Sequence, residues 1–202
     1  MEGLTFYWVS WFFWVYLTFF ARKDSKYRTK MAAAILFTII LSSYHFTVLG
    51  IQIGVGGIFA ICFSYSFLSG EKKRVIFYFF ICNYIITVVY ATFQMFGIFD
   101  PVLFIVKKEW MMAISLAYIA IILQNTFKGR LMLLISGTMQ GEILYAFIVS
   151  KYLFSYMAGS FAYLDVCTLS SVLVIAWSVL ENARTFFESH FNFSAKEKQN
   201  SS

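Results

Sequence analysis

The chain has 202 residues, 60% of them hydrophobic and 13% charged, with a mean hydropathy of +0.74 and a formal net charge of +6. A water-soluble domain is about half apolar and about one quarter charged, so a core of this size could not hide the excess and much of it must face lipid. The basic balance does not point to nucleic acid, because the charges form short clusters between apolar runs rather than a stripe on a polar face.

A membrane-spanning helix needs about 20 mostly apolar residues, and seven candidate segments occur in chain order. The first is Gly3 to Phe20. Met1 and Glu2 lead straight into it without a positive leader or a small-residue cleavage site, so it reads as an inserted helix rather than a cleaved signal. Ten of its eighteen residues are aromatic. The apolar reading of that face is contact with lipid, and the functional one is a docking face for a partner helix. A basic loop, Arg22 to Lys30, follows. Met31 to Ser69 is uncharged over 39 residues. As one helix it would be about 58 Å long at about 1.5 Å per residue, far beyond a hydrocarbon core of about 30 Å. It is therefore expected to form two spans joined by a tight turn near Tyr44 to Gly54, where His45, Gly50 and Gln52 interrupt the apolar run. After the charged loop Gly70 to Arg74 come a fourth span, Val75 to Phe99, and a fifth, Trp110 to Phe127. Beyond Lys128-Gly129-Arg130 lie a sixth, Leu131 to Ser150, and a seventh, Phe161 to Leu180.

The basic residues fix an expected orientation. With the N-terminus outside, inner segments hold thirteen of the sixteen Lys and Arg residues, and only Lys107, Lys108 and Lys151 lie outside. This is a strong positive-inside bias, and adding or removing one span would scramble it. The expected fold is thus an all-α, polytopic transmembrane bundle of about seven spans, with the N-terminus outside and the C-terminus cytoplasmic. Residues 1–184 form a single membrane domain and 185–202 a polar cytoplasmic tail. Short loops predict antiparallel packing of neighbouring spans.

Polar residues at membrane depth are expensive and are either packed inward or functional. Glu142 sits about 16 Å into the sixth span, close to the midplane, and no Lys or Arg lies at that depth in any span. It reads either as a carboxyl kept neutral by desolvation and bonded to groups such as Asn83, Ser170 or Ser171, or as a proton or cation site. Asp165, about one turn below the outer end of the seventh span, is expected to pair with Lys151 across the connecting loop. His45 falls at the outer turn and is expected to be interfacial rather than a ligand, since a metal site needs three or four ligands and only Asp100 and Asp165 lie at matching depth. Gly137 and Gly141, like Gly50 and Gly54, have the spacing that lets helix backbones approach closely.

Cys62, Cys82 and Cys167 each lie in an apolar run, without the spacing of a zinc or redox motif. No nucleophile elbow, metalloprotease motif or phosphate-binding loop is present. No metal or organic cofactor is expected. The partners expected are the lipid bilayer and other membrane proteins.

The opening Met1-Glu2-Gly3, then Phe6-Tyr7-Trp8 and Ser10-Trp11, with Thr18-Phe19-Phe20 before a basic loop, resembles the start of the YphA-like membrane proteins of Bacillus-type endospore formers. The resemblance implies a bacterial cytoplasmic membrane and assigns no catalytic motif. Two functions follow as expectations: a non-enzymatic membrane component acting through helix contacts with other membrane proteins, or a small transporter or ion pathway using Glu142.

Overall fold

A computed structural model of the chain describes residues 2–21, 28–48, 51–68, 72–100, 106–152 and 156–200, with the side chains of the last helix placed as far as residue 184. Among the described residues there are seven α-helices: α1 (Leu4–Val15), α2 (Arg28–Leu41), α3 (Val55–Leu68), α4 (Lys73–Phe99), α5 (Lys108–Leu123), α6 (Phe127–Tyr152) and α7 (Phe161–Asn200). A π-helical turn, Tyr16–Phe20, continues α1. Each helix covers one of the seven apolar segments, because in lipid the backbone can satisfy its polar groups only by bonding to itself. The helix-bundle class read from the sequence is therefore the class observed.

Three of these helices are long and apolar enough to cross a bilayer by themselves: α4, α6 and the first 24 residues of α7, Phe161–Arg184. By contrast α2 and α3 have 14 residues each, about 21 Å at about 1.5 Å per residue. Where a plain turn is expected between them, the chain forms a β-hairpin. Strand β1 (His45–Val48) pairs antiparallel with β2 (Ile51–Gly54), with His45 opposite Gly54. A third short strand, β3 (Met157–Ala158), runs parallel to β2 and completes the sheet. The alternation around Gln52 and the β-branched Val48, Ile51 and Ile53 suit a strand, but the run is too short to signal one inside a hydrophobic stretch.

The core lies between α4 and α6, where two glycines on α6 allow near contact of backbones. A Cβ at Gly137 would come within 2.6 Å of Ile86, and one at Gly141 within 2.8 Å of the Thr87 carbonyl. Ile86, Tyr90, Leu116, Leu133, Leu134, Met139 and Val174 are completely buried around this seam. Large apolar side chains also cover the outside of the molecule, among them Trp8, Phe12, Phe19, Phe77, Tyr84 and Tyr118. That inverted surface is what a lipid-facing protein requires.

The connection from α6 to α7 does not stay at the end of the bundle. Tyr156 N–H donates to Ser150 Oγ, its ring packs edge-on against Tyr145 with centroids 4.9 Å apart, and its hydroxyl reaches Glu142. Three residues on, Gly159 lies against the end of the Met139 side chain. Three extended residues reach at most about 11 Å, so from Ser150 the connection runs back along α6 by no more than that, and the Met139 side chain spans the rest. Non-helical backbone at such depth is tolerated where protein buries it, and Ala158 is fully buried. At Gly54 and Gly159 the strands approach too closely for side chains: a Cβ at Gly54 would sit 2.6 Å from the Gly159 carbonyl, and Gly159 itself has φ of +76°.

Candidate functional site

Helix α6 carries most of the polar interior. Its residues Ser136, Thr138 and Glu142 are wholly inaccessible. Ser136 Oγ donates to Asn83 Oδ1 at 2.7 Å, Asn83 Nδ2 donates to Gln140 Oε1 at 2.6 Å, and Gln140 Nε2 donates to the Tyr65 hydroxyl at 2.6 Å. This chain ties α3, α4 and α6 together at one level. Thr87 Oγ1 adds bonds to the carbonyls of Asn83 and Gly137, across the glycine seam.

The next level toward the C-terminal end of α6 is built on Glu142. Tyr90 Oη donates to Oε2 at 2.7 Å and Tyr156 Oη donates to Oε1 at 2.9 Å. Gln94 Nε2 in turn donates to the Tyr90 oxygen at 2.9 Å. Glu142 thus joins α4, α6 and the descending connection. The partners expected from depth alone are not the partners found. Asn83 lies about two helical turns before Tyr90 on α4 and is satisfied by Gln140 and Ser136. Ser170 and Ser171 bond back to the Val166 and Cys167 carbonyls of their own helix. Tyrosines were the missing signal: a phenol is apolar along most of its length and so hides within an aromatic-rich run, yet its hydroxyl reaches far from its own backbone.

Asp165 is also placed differently from expectation. Its carboxylate accepts the backbone N–H groups of Gly3 and Phe6, each at 2.7 Å. Gly3 occupies the N-cap of α1 with φ of +85° and has no side chain to do this itself. Lys151, the expected partner, instead rests over the ring of Tyr152 at 5.4 Å. Beside Asp165 an open cleft between α1, α5 and α7 is lined by Glu2, Thr5, Lys107, Glu109 and Trp110. His45 begins β1 and is exposed, and no hydrogen bond joins it to Glu142 among the described residues. Among the described residues no three His, Cys, Asp or Glu side chains come together to hold a metal ion.

At the opposite end of the bundle, Arg130 is nearly buried and forms the ion pair seen among the described residues. Nη1 and Nη2 meet the two Glu181 carboxylate oxygens at 2.6 and 3.2 Å, and Nε donates to the Gln124 carbonyl at 2.7 Å. Trp177 Nε1 donates to Glu181 as well. In the sequence Arg130 reads only as one more loop cation. It lies twelve residues before Glu142, about 18 Å away along α6.

These features place the polar groups inside and the aromatic groups outside, as a membrane protein requires. No solved structure matches the chain. It is 29% identical over 182 residues to the uncharacterized protein YphA of Bacillus subtilis (strain 168), a match that covers 90% of each chain. The model of the YphA-like integral membrane proteins matches residues 2–200, and the chain accordingly belongs to the YphA-like family of integral membrane proteins.

Proposed function

We propose that this protein is a multi-pass component of the bacterial cytoplasmic membrane, with its N-terminus outside and its C-terminus in the cytoplasm, that acts without enzymatic chemistry through helix contacts with other membrane proteins. One observation carries the reading. Every buried side-chain nitrogen and oxygen among the described residues has a hydrogen-bond partner within the chain. The polar interior is engaged in fixing helices to one another, which leaves the aromatic exterior as the surface that meets a partner. The most concentrated part of that exterior is α1 with its π-helical extension, where Trp8 is 73% and Phe20 76% exposed. The charge count supports the orientation, and the B. subtilis relative supports the type of membrane.

Substitution on α1 tests this. Trp8→Leu with Phe12→Leu keeps the helix apolar but removes the aromatic shape. We expect specific membrane proteins that co-purify after mild detergent extraction to be lost with this variant. They should be retained when Ile114 and Ile122, exposed on α5, are changed to Leu. Equal retention in both variants would remove α1 from the proposal.

A second reading, a proton or cation pathway, has one observation in its favour: Glu142 lies fully buried inside the bundle. Purified protein in liposomes, given a pH gradient, would then dissipate it, and Glu142→Gln would abolish that flux.

A further inference from the structure

The neighbours of Glu142 differ from what a neutral carboxyl needs. A phenol has one proton to give. The Tyr90 oxygen receives the Gln94 amide, which directs its proton to Glu142 Oε2. Tyr156 donates likewise to Oε1. A protonated carboxyl brings a donor of its own and requires an acceptor, whereas an ionised one accepts from all sides. The partners here are donors on both oxygens.

We infer that Glu142 is held as a carboxylate in the interior of the bundle and that its charge is the latch that keeps the descending segment 156–160, and with it β3, docked against α6. Hydrogen bonds to an ionised acceptor are roughly twice as strong as neutral ones. Of the two phenols that reach the carboxylate, Tyr156 belongs to that segment. Protonation of Glu142 would place a proton among donors, so at least one of these bonds must break.

The groups that bear on Glu142 can be named element by element. Helix α4 presents Tyr90, the descending segment Tyr156, and α7 Tyr163 with Cys167 behind it. Helix α6 itself contributes Tyr145. Strand β2 has no titratable residue. Helix α5 begins with Lys108, whose ammonium lies against Gly97 on α4, and among the described residues no cation forms an ion pair with Glu142. Among the described residues the carboxylate is thus held by hydrogen-bond donors rather than by an ion pair.

Two measurements on the full chain in lipid vesicles test the inference. Infrared difference spectra between the wild type and Glu142→Gln report the protonation state directly. We expect no protonated-carboxyl band from Glu142 at pH 7, and its appearance on acidification. Hydrogen–deuterium exchange of peptides covering 156–160 reports the latch. Glu142→Gln, which sets an amide donor against the phenols, and Tyr156→Phe should each speed exchange there roughly fivefold, as expected for one lost hydrogen bond. The double variant should be no faster than the faster single one, because both remove the same contact. A protonated-carboxyl band at pH 7 that disappears in Glu142→Gln, or unchanged exchange of 156–160 in that variant, would overturn the inference. If Glu142→Gln does not accumulate, Glu142→Asp serves to assign the band by displacing it, and Tyr156→Phe alone decides the exchange measurement.

Discussion

The Asp165 carboxylate and the Gly3 amide, 162 residues apart in the chain, meet at 2.7 Å. The first helix of the bundle is therefore capped by the last. A helix N-terminus leaves backbone N–H groups without partners and carries a partial positive charge. Both needs are met here by a side chain of another helix. Asp165→Ala should destabilise the protein by about 1–2 kcal/mol, the range seen when an N-cap acceptor is removed. Asp165→Asn retains one acceptor oxygen and should lose less. Thermal unfolding in detergent measures both, and an Asp165→Ala variant as stable as the wild type would deny the cap any energetic role.

The seam between α4 and α6 makes a second prediction. Gly141→Ala places a methyl group 2.8 Å from the Thr87 carbonyl and 2.8 Å from the Tyr90 Cβ. Both obstacles include backbone or backbone-adjacent atoms that cannot rotate away. The helices must separate, at about 1–3 kcal/mol, as in other overpacked cores. Ala at Gly129 meets instead the Thr126 hydroxyl and the Gln124 amide, which are ends of side chains, so its effect should be smaller. The ranking of the two variants by thermal midpoint is the check.

The Asn83 cluster should behave as one unit. Asn83→Leu removes the acceptor of Ser136 and the donor of Gln140 in one step. Interhelical hydrogen bonds in membrane proteins contribute roughly 0.6 kcal/mol on average, so a loss of about 1–2 kcal/mol is expected for the two together. Gln140→Leu after Asn83→Leu should then lose less than it does alone, since part of its network is already gone. Strict additivity in a double-mutant cycle would show that the bonds act separately.

Arg130 gives a prediction about geometry. Its guanidinium meets both oxygens of Glu181 while Nε holds the Gln124 carbonyl at the end of α5. A lysine has one compact ammonium and no planar fork, so Arg130→Lys cannot make all three contacts. It should lower the thermal midpoint although charge is kept. Arg130→Ala should lower it further. If Arg130→Lys matches the wild type, charge alone explains the site.

The orientation is tested by reporter fusions at Lys26, Lys73 and Ser202. All three are expected to read cytoplasmic, and an external signal from any of them would reject the proposed arrangement.

Hydropathy located each α-helix among the described residues, because a lipid solvent enforces one rule everywhere: a long apolar run must bond its own backbone. Gly137 and Gly141 were legible as a packing seam for a similar reason, since close approach of backbones needs the absence of a side chain at helical spacing. That Glu142 would be buried inside the bundle was also legible, from its place in the middle of an apolar run. Its partners were not, because they depend on which helices adjoin and on how far a connection travels. Tyr90 reaches Glu142 only because α4 lies against α6 along the glycine seam. Tyr156 reaches it only because the α6–α7 connection descends along α6 rather than crossing at the end. Asp165 and Lys151 looked like a pair from their depth, but depth is one coordinate, and the free amides of α1 were the nearer and less solvated partner. The sheet was hidden for the same reason: β3 is two residues long and has no signature of its own, and it exists because β2 offers it an edge. The sequence determined which segments form apolar helices, through a solvent rule that acts on each segment separately. The tertiary structure decided which polar groups meet, since hydrogen bonds are short and directional and depend on positions that no single segment contains.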